Sequence, residues 1–146
     1  MPATTTADPR FGLTTRFEVV IDGFPLGRWS KCDGLSVTFK LASYVPLGHN
    51  GHLPILPDRV AYDNITLTRA ITAEDSALVM QWLGKMAGSS PAGAAEITLL
   101  DAHQQKVTSW KLRGVYPTKW KGPSLDAGSH NVALETLELA HQGFLE

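Results

Sequence analysis

LSVTFKL, residues 35–41, alternates without a fault. Leu35, Val37, Phe39 and Leu41 fall on one side of an extended chain, and Ser36, Thr38 and Lys40 on the other. A side-chain period of two predicts a half-buried strand with one wet face. The same period recurs on both sides of this stretch. Phe17, Val19 and Ile21 share a face opposed by Glu18 and Asp22, and the Asp22-Gly23 that follows is a hairpin signal. In 64–72, Ile65, Leu67 and Ile71 face in, while Asn64, Thr66 and Thr68 face out. Ile97 and Leu99 start another strand, 101–105 reads as a turn, and 107–115 as the return. Tyr116-Pro117 and Gly122-Pro123 are expected to break that run, the latter opening a polar loop through Ser129. The last strand is expected over 130–140. Its apolar positions change parity between Leu134 and Leu137, which predicts a bulge or burial on both faces.

One segment has a different period. Between Thr72 and Met86 the apolar residues Leu78, Val79, Trp82, Leu83 and Met86 recur at offsets of three and four, one face of a helix. Thr72 followed by Asp75 resembles a capping box. Glu74 and Asp75 suit the positive end of the helix dipole and Lys85 the negative end. Gly88 is a natural stop. Gly84 inside the helix costs up to about 1 kcal/mol against Ala. Six to eight strands with one helix predict a mainly β fold, a sandwich or small barrel of two antiparallel sheets with a flanking helix. The 146 residues fit one domain.

Residues 45–58, VPLGHNGHLPILPD, break the pattern. Proline and glycine at this density leave no regular element. The stretch is nevertheless apolar, with Leu47, Leu53, Ile55 and Leu56. A long loop of this kind in a compact domain is usually functional, and it reads as a docking loop that becomes covered on assembly. Residues 1–16 read as a flexible N-terminal arm.

Composition narrows the function. Thirteen basic and fourteen acidic residues give a net charge of −1, with no long basic run. Binding to nucleic acid through its phosphates is not expected. Lys106, Lys111, Arg113, Lys119 and Lys121 read as one solvated strand face. A charged fraction of 18% suits a subunit with large partner contacts. No apolar run reaches the roughly 18 residues that span a bilayer. The N-terminus lacks the basic and apolar regions of a signal peptide, and the single cysteine, Cys32, fits synthesis in the cytoplasm.

Candidates for chemistry are few. His49 and His52 in GHNGH offer two metal ligands, but no second cluster accompanies them. Ser30, Cys32 and Asp33 in WSKCDG have no base or oxyanion site beside them, and a structural cysteine is the plainer reading. Glu135 and Glu138 fall on opposite strand faces and make a poor carboxylate pair. Trp29, Trp82, Trp110 and Trp120 lack a basic groove for stacking on nucleic acid, so core or interface packing is expected. No enzyme, cofactor or metal is expected.

Five segments in order carry a resemblance: FEVVIDG (17–23), WSKCDGLSVTF (29–39), DNITLTRAIT (63–72), WKLRGVYPTKW (110–120) and VALETLELAHQGF (132–144). Across nearly its whole length the chain resembles the tail-tube proteins of contractile phages and extracellular contractile injection systems. The family often carries a basic, Gly-rich stretch where this chain has PLGHNGHLPIL.

The resemblance implies two packed antiparallel sheets with one helix outside, six copies in a ring, and rings stacked into a rigid hollow tube. One sheet from each copy joins a continuous barrel around the lumen. A contractile sheath drives the tube through a target envelope to deliver cargo, and no catalysis is implied. The partners implied are further copies of the chain, a sheath protein, baseplate or hub and tube-terminating proteins, and cargo. The chain is then expected inside an assembled particle. Ser36, Thr38, Lys40, Asn64, Thr66 and Thr68 are candidate lumen residues. Leu47, His49, His52, Leu53, Ile55 and Leu56 are candidates for ring stacking, and Glu74, Gln81 and Lys85 for facing the sheath. Two other readings remain open: a baseplate-proximal tube initiator, and a monomeric β-barrel that binds a small apolar ligand.

Overall fold

The computed structural model describes residues 11–13, 17–21, 23–27, 29–42, 55–89 and 92–145. In chain order the strands are β1 (Phe17–Ile21), β2 (Phe24–Pro25), β3 (Lys31–Asp33), β4 (Val37–Leu41), β5 (Pro57–Tyr62) and β6 (Ile65–Ala70). Helix α1 (Ala73–Met86) follows, then β7 (Ala92–Leu100), β8 (Lys106–Lys121) and β9 (Leu134–Ala140). Every pairing is antiparallel.

Hydrogen-bonded neighbours run β2-β1-β7-β8-β9-β6-β3, and β4-β5 form a separate pair. The long β8 divides the run into two sheets. Its first part pairs with β7 as far as Val115, and its last part, from Tyr116, pairs with β9. Gly114, with φ +59°, sits at the change, and a Cβ there would meet Gln142. It also resets the inward parity, since Leu112 and Val115 are both buried. Tyr116-Pro117 therefore does not break the strand as the sequence suggested. A register shift between Pro117 and Lys119 takes up the proline, and the strand continues to Lys121.

The core lies between the two sheets and the helix. Val19, Ile21, Ala95, Ile97 and Leu112 come from the first sheet, and Ile65, Leu67, Leu137 and Leu139 from the second. Val79, Trp82 and Met86 come from α1. Thr72 caps the helix by accepting from the Asp75 N–H at 3.3 Å. The helix ends at Met86 with Ala87 as its cap, and Gly88 follows with φ +75°. The hairpin expected at Gly23 is present, with Ile21 opposite Phe24.

Two other expectations need correction. Strand β9 has no bulge: Glu135, Leu137 and Leu139 all point inward and Leu134 points out. Parity seemed to switch only because a glutamate occupies a core position. That glutamate is paired with Arg69, which takes an inward position of β6 and is also buried. The second concerns β4, whose apolar side is uncovered among the described residues: Phe39 is 65% exposed and Leu41 57%. Separately, residues 11–13, read as part of the arm, lie against β7, where the Leu13 N–H donates to Leu100 at 3.0 Å.

The Arg69–Glu135 pair is the hub of the interior. Arg69 Nε donates to Glu135 Oε1 at 2.6 Å, Nη2 donates to the Asp75 carbonyl at 2.7 Å, and Nη1 donates to the Leu26 carbonyl. Its guanidinium lies 4.0 Å from the centre of the Trp29 ring. Glu135 Oε2 accepts from Ser76 Oγ at 3.2 Å and from Trp120 Nε1 at 3.3 Å. Removing one member of a buried pair leaves an uncompensated charge and costs about 3–5 kcal/mol. Urea denaturation of Glu135→Ala should show a loss of that size, and Arg69→Met with Glu135→Leu should recover most of it. Gly84 has open space where a Cβ would sit. Gly84→Ala should therefore raise stability by up to about 1 kcal/mol in the same assay.

Candidate assembly surfaces

The outward face of the second sheet is built by register. Lys31 lies opposite Thr68 and Asp33 opposite Thr66. Thr66 and Thr68 in turn lie opposite Glu138 and Thr136, and Lys119 and Lys121 lie opposite the same two residues from the other side. Partners across an antiparallel ladder share a face, so these side chains form one continuous polar surface. Lys31 and Asp33 are paired at 3.3 Å, and Thr118 donates to Glu138 Oε2 at 3.0 Å. Spacing within β6 identified Thr66 and Thr68, but their neighbours from β3, β8 and β9 are visible only in the folded chain. Asn64 precedes β6 and is exposed.

Ser36, Thr38 and Lys40 are not part of this ladder. Thr38 and Lys40 belong to the β4–β5 ribbon, with Thr38 opposite Ala61, and Ser36 immediately precedes it. That ribbon continues the β3–β6 pair beyond Gly34, where φ is +102° and a Cβ would collide with the Asn64 carbonyl. Only glycine fits there, so the ribbon turns where it leaves the body. One side of the ribbon carries Val37 opposite Tyr62 and Phe39 opposite Val60, with Leu41 at the end. Ala42 N–H donates to Leu56 O at 2.8 Å near the tip. Ile55 is 76% exposed and Leu56 half-buried. Leu47, His49, His52 and Leu53 lie outside the described residues.

The root of the ribbon is held by the C-terminal segment. Tyr62 packs edge-on against Phe144 at 5.1 Å and is tilted against His141 at 5.4 Å. The Gly143 N–H donates to His141 Nδ1 at 3.1 Å, which leaves the proton on Nε2 to donate to the Asp63 carbonyl at 3.0 Å. This arrangement needs a neutral imidazole. Burial lowers the His141 pKa; the hydrogen bond to Asp63 opposes this, and the nearby Arg113 charge adds to the lowering.

Glu74, Gln81 and Lys85 are exposed on α1, away from its buried face. The thiol of Cys32, half-buried on β3, is pushed up to about 11 by burial and by Asp33, so it is a poor nucleophile. Among the described residues, no group of three or more His, Cys, Asp or Glu could hold a metal. No helix among them is long and apolar enough to cross a membrane.

The second sheet ends in two strands, β3 and the last part of β8, that are paired on one side only among the described residues. Together with the exposed ribbon, this defines a class: a β-sandwich with open sheet edges, to which another chain could add a strand. A family model described as "T4-like virus tail tube protein gp19" matches residues 13–145. The chain belongs to that tail tube family, and it is a structural tube subunit.

Solved structures agree with this assignment. A chain in the 6-fold symmetrised baseplate of the anti-feeding prophage is 26% identical, with TM-score 0.73, covering 92% of this chain and 94% of its own. A chain in the extended sheath–tube complex of PVC, an extracellular contractile injection system, has the same fold at 19% identity and TM-score 0.75, covering 96% and 95%. So does a chain in the anti-feeding prophage tube-terminating cap, at 22% identity and TM-score 0.74, covering 97% and 99%. No curated protein sequence matches the chain.

The His141 arrangement has a pH signature. A folded-state pKa below the ordinary value near 6.5 means that folding prefers the neutral ring. The stability it supplies is full above that value and falls as pH drops toward the folded pKa. Thermal melts should show the melting temperature declining below about pH 6.5. In His141→Gln the decline over that window should be shallower.

Proposed function

We propose that six copies of this chain close into a ring, and that rings stack into the hollow inner tube of a contractile injection system or phage tail. The observation that carries this reading is the four-strand sheet β8-β9-β6-β3 with its two one-sided edges. Its strands alternate in direction. In a ring related by rotation, β3 of one copy therefore meets β8 of the next in an antiparallel sense, and the ladder continues across the junction. Closure removes both edges, which would otherwise invite disordered pairing. Six-fold order is supported by the relative in the symmetrised baseplate.

In this arrangement the polar face with Thr66 and Thr68 lines the lumen. Small hydroxyls and the short Lys31–Asp33 pair give cargo little to adhere to. Residues 45–58 serve stacking between rings, with Ile55 and Leu56 at the described tip, and the arm over 1–16 assists. Glu74, Gln81 and Lys85 on α1 face a surrounding sheath. The role is mechanical, without a catalytic step or cofactor: a rigid conduit driven by the sheath, resident in an assembled particle and bounded by baseplate and terminating proteins. A second reading, a baseplate-proximal paralogue that starts the tube, is favoured by the similarity to a baseplate chain.

Negative-stain electron microscopy of the purified, concentrated chain tests the proposal. Rings with a central hole, or stacked tubes, are the expected result. A strictly monomeric sample that joins a tube only beside a baseplate component would point to the initiator instead.

A further inference from the structure

We infer that His141 is a latch for the β4–β5 ribbon: with a neutral imidazole it fixes the ribbon to the body, and on taking up a proton it releases the ribbon, so that mild acid keeps rings from joining. The effect on rings rests on the stacking role proposed above, whereas the latch stands on the single chain. Strands β4 and β5 meet the body through two short links, 34–36 and 63–64. Gly34, with φ +102°, opens the first link. In the second, the Asp63 carbonyl accepts from His141 Nε2 at 3.0 Å. A few element-terminal residues of this kind are what a hinge requires.

His141 belongs to a strap that follows β9 and is tied to β8. The Gln142 N–H donates to the Arg113 carbonyl at 2.6 Å, and the Arg113 N–H donates to the Gly143 carbonyl at 2.9 Å. Arg113 Nη1 donates to the Leu145 carbonyl at 2.6 Å. The strap sets His141 and Phe144 against Tyr62, the last residue of β5. It has no slack: a Cβ on Gly143 would lie 2.7 Å from the Tyr62 ring and 2.9 Å from Arg113 Nη2. A shift of Gly143 is therefore passed to Tyr62, and from there to Val37, its partner on β4.

Both ring nitrogens are committed. Nδ1 accepts from the Gly143 N–H at 3.1 Å. A proton on Nδ1 sets two donors face to face, and that bond is lost. Nε2 still donates to the Asp63 carbonyl, so protonation parts the ring from the strap and leaves it on the link. Among the described residues, the charged or titratable groups against the ring are Tyr62, Asp63 and Arg113. Partial burial disfavours an imidazolium there; the Asp63 bond favours it, and the Arg113 cation repels it, with a net lowering of the pKa below its ordinary 6.5. The latch is closed above that value and opens as pH falls through the lower value of the folded chain. A charged ring that swings out with the link gains water and leaves Arg113 behind.

Hydrogen–deuterium exchange tests the latch on the full chain, kept too dilute to assemble. Peptides covering β4 and β5 are compared with peptides covering β7 on either side of the ordinary histidine value, at about pH 8 and about pH 5. After correction for the intrinsic pH dependence of exchange, the ribbon should exchange roughly tenfold faster in acid, the change that one pKa unit of bias supplies, while β7 holds its rate. In His141→Gln the ribbon should exchange alike at both values. A ribbon that does not respond to acid, or that responds only together with β7, overturns the latch. So does an equal response in the variant, which would assign it to another group. Electron microscopy of the concentrated chain then reads the consequence: parental tubes are expected at the higher pH and lost at the lower, with His141→Gln keeping them at both. Parental tubes that persist in acid, or that are lost equally in the variant, overturn the effect on rings. If the parental chain forms no tube at either pH, the tube reading falls, and the exchange measurement still decides the latch.

Discussion

A guanidinium and a carboxylate buried together organise this molecule. Neither Arg69 nor Glu135 can be charged in an apolar interior unless its hydrogen-bonding groups are met, and the fold meets them from several directions. Strands β6 and β9 supply the pair. Leu26 and Trp29 supply a carbonyl and an aromatic face, and the first turn of α1 supplies the Asp75 carbonyl and the Ser76 hydroxyl. Trp120 of β8 completes the set. The helix is thereby held over the inner side of the second sheet, and Val79, Trp82 and Met86 seal it.

The assembly surfaces follow from that placement. With the helix on one side, the outer side of β8-β9-β6-β3 has no layer over it among the described residues. Its residues include threonines, Lys119, Lys121 and the Lys31–Asp33 pair, which tolerate water. Alternating strand direction in an even-numbered sheet leaves edges that match under rotation. Polarity of the face and parity of the strands thus suit a ring whose interior is wet and whose seams are backbone hydrogen bonds.

Gly34 has a comparable influence on the ribbon. A backbone approach to the Asn64 carbonyl that admits no Cβ lets β4 and β5 leave the body. Tyr62, His141 and Phe144 brace the point of departure. Apolar side chains that would form a core in another protein are left outside this one. At about 25 cal/mol per Å² of apolar area, covering them is a substantial drive toward a partner.

Many of the elements were legible in sequence, but β3 and β5 were not, and Pro57 and Asp58, expected to lie in a loop, open β5. Alternation identified β1, β4, β6 and the start of β7. The three-four spacing, Thr72 and Gly88 placed α1 closely, because local periodicity and capping are properties of neighbouring residues. Five ordered segments also revealed the family. Local patterns misled where a distant residue decided the outcome. Glu135 looked like a lapse of parity until Arg69, far away in sequence, was found beside it. Tyr116-Pro117 looked like a break until Gly114 and a register shift carried β8 through it. LSVTFKL shows the division most clearly: its alternation determined a strand, while its surroundings left the apolar side bare. The sequence by itself determined β1, β4, β6, the start of β7 and α1, because those patterns lie in neighbouring residues. Only the tertiary structure decided which apolar faces are buried and which stay exposed, because burial depends on what the rest of the fold brings alongside.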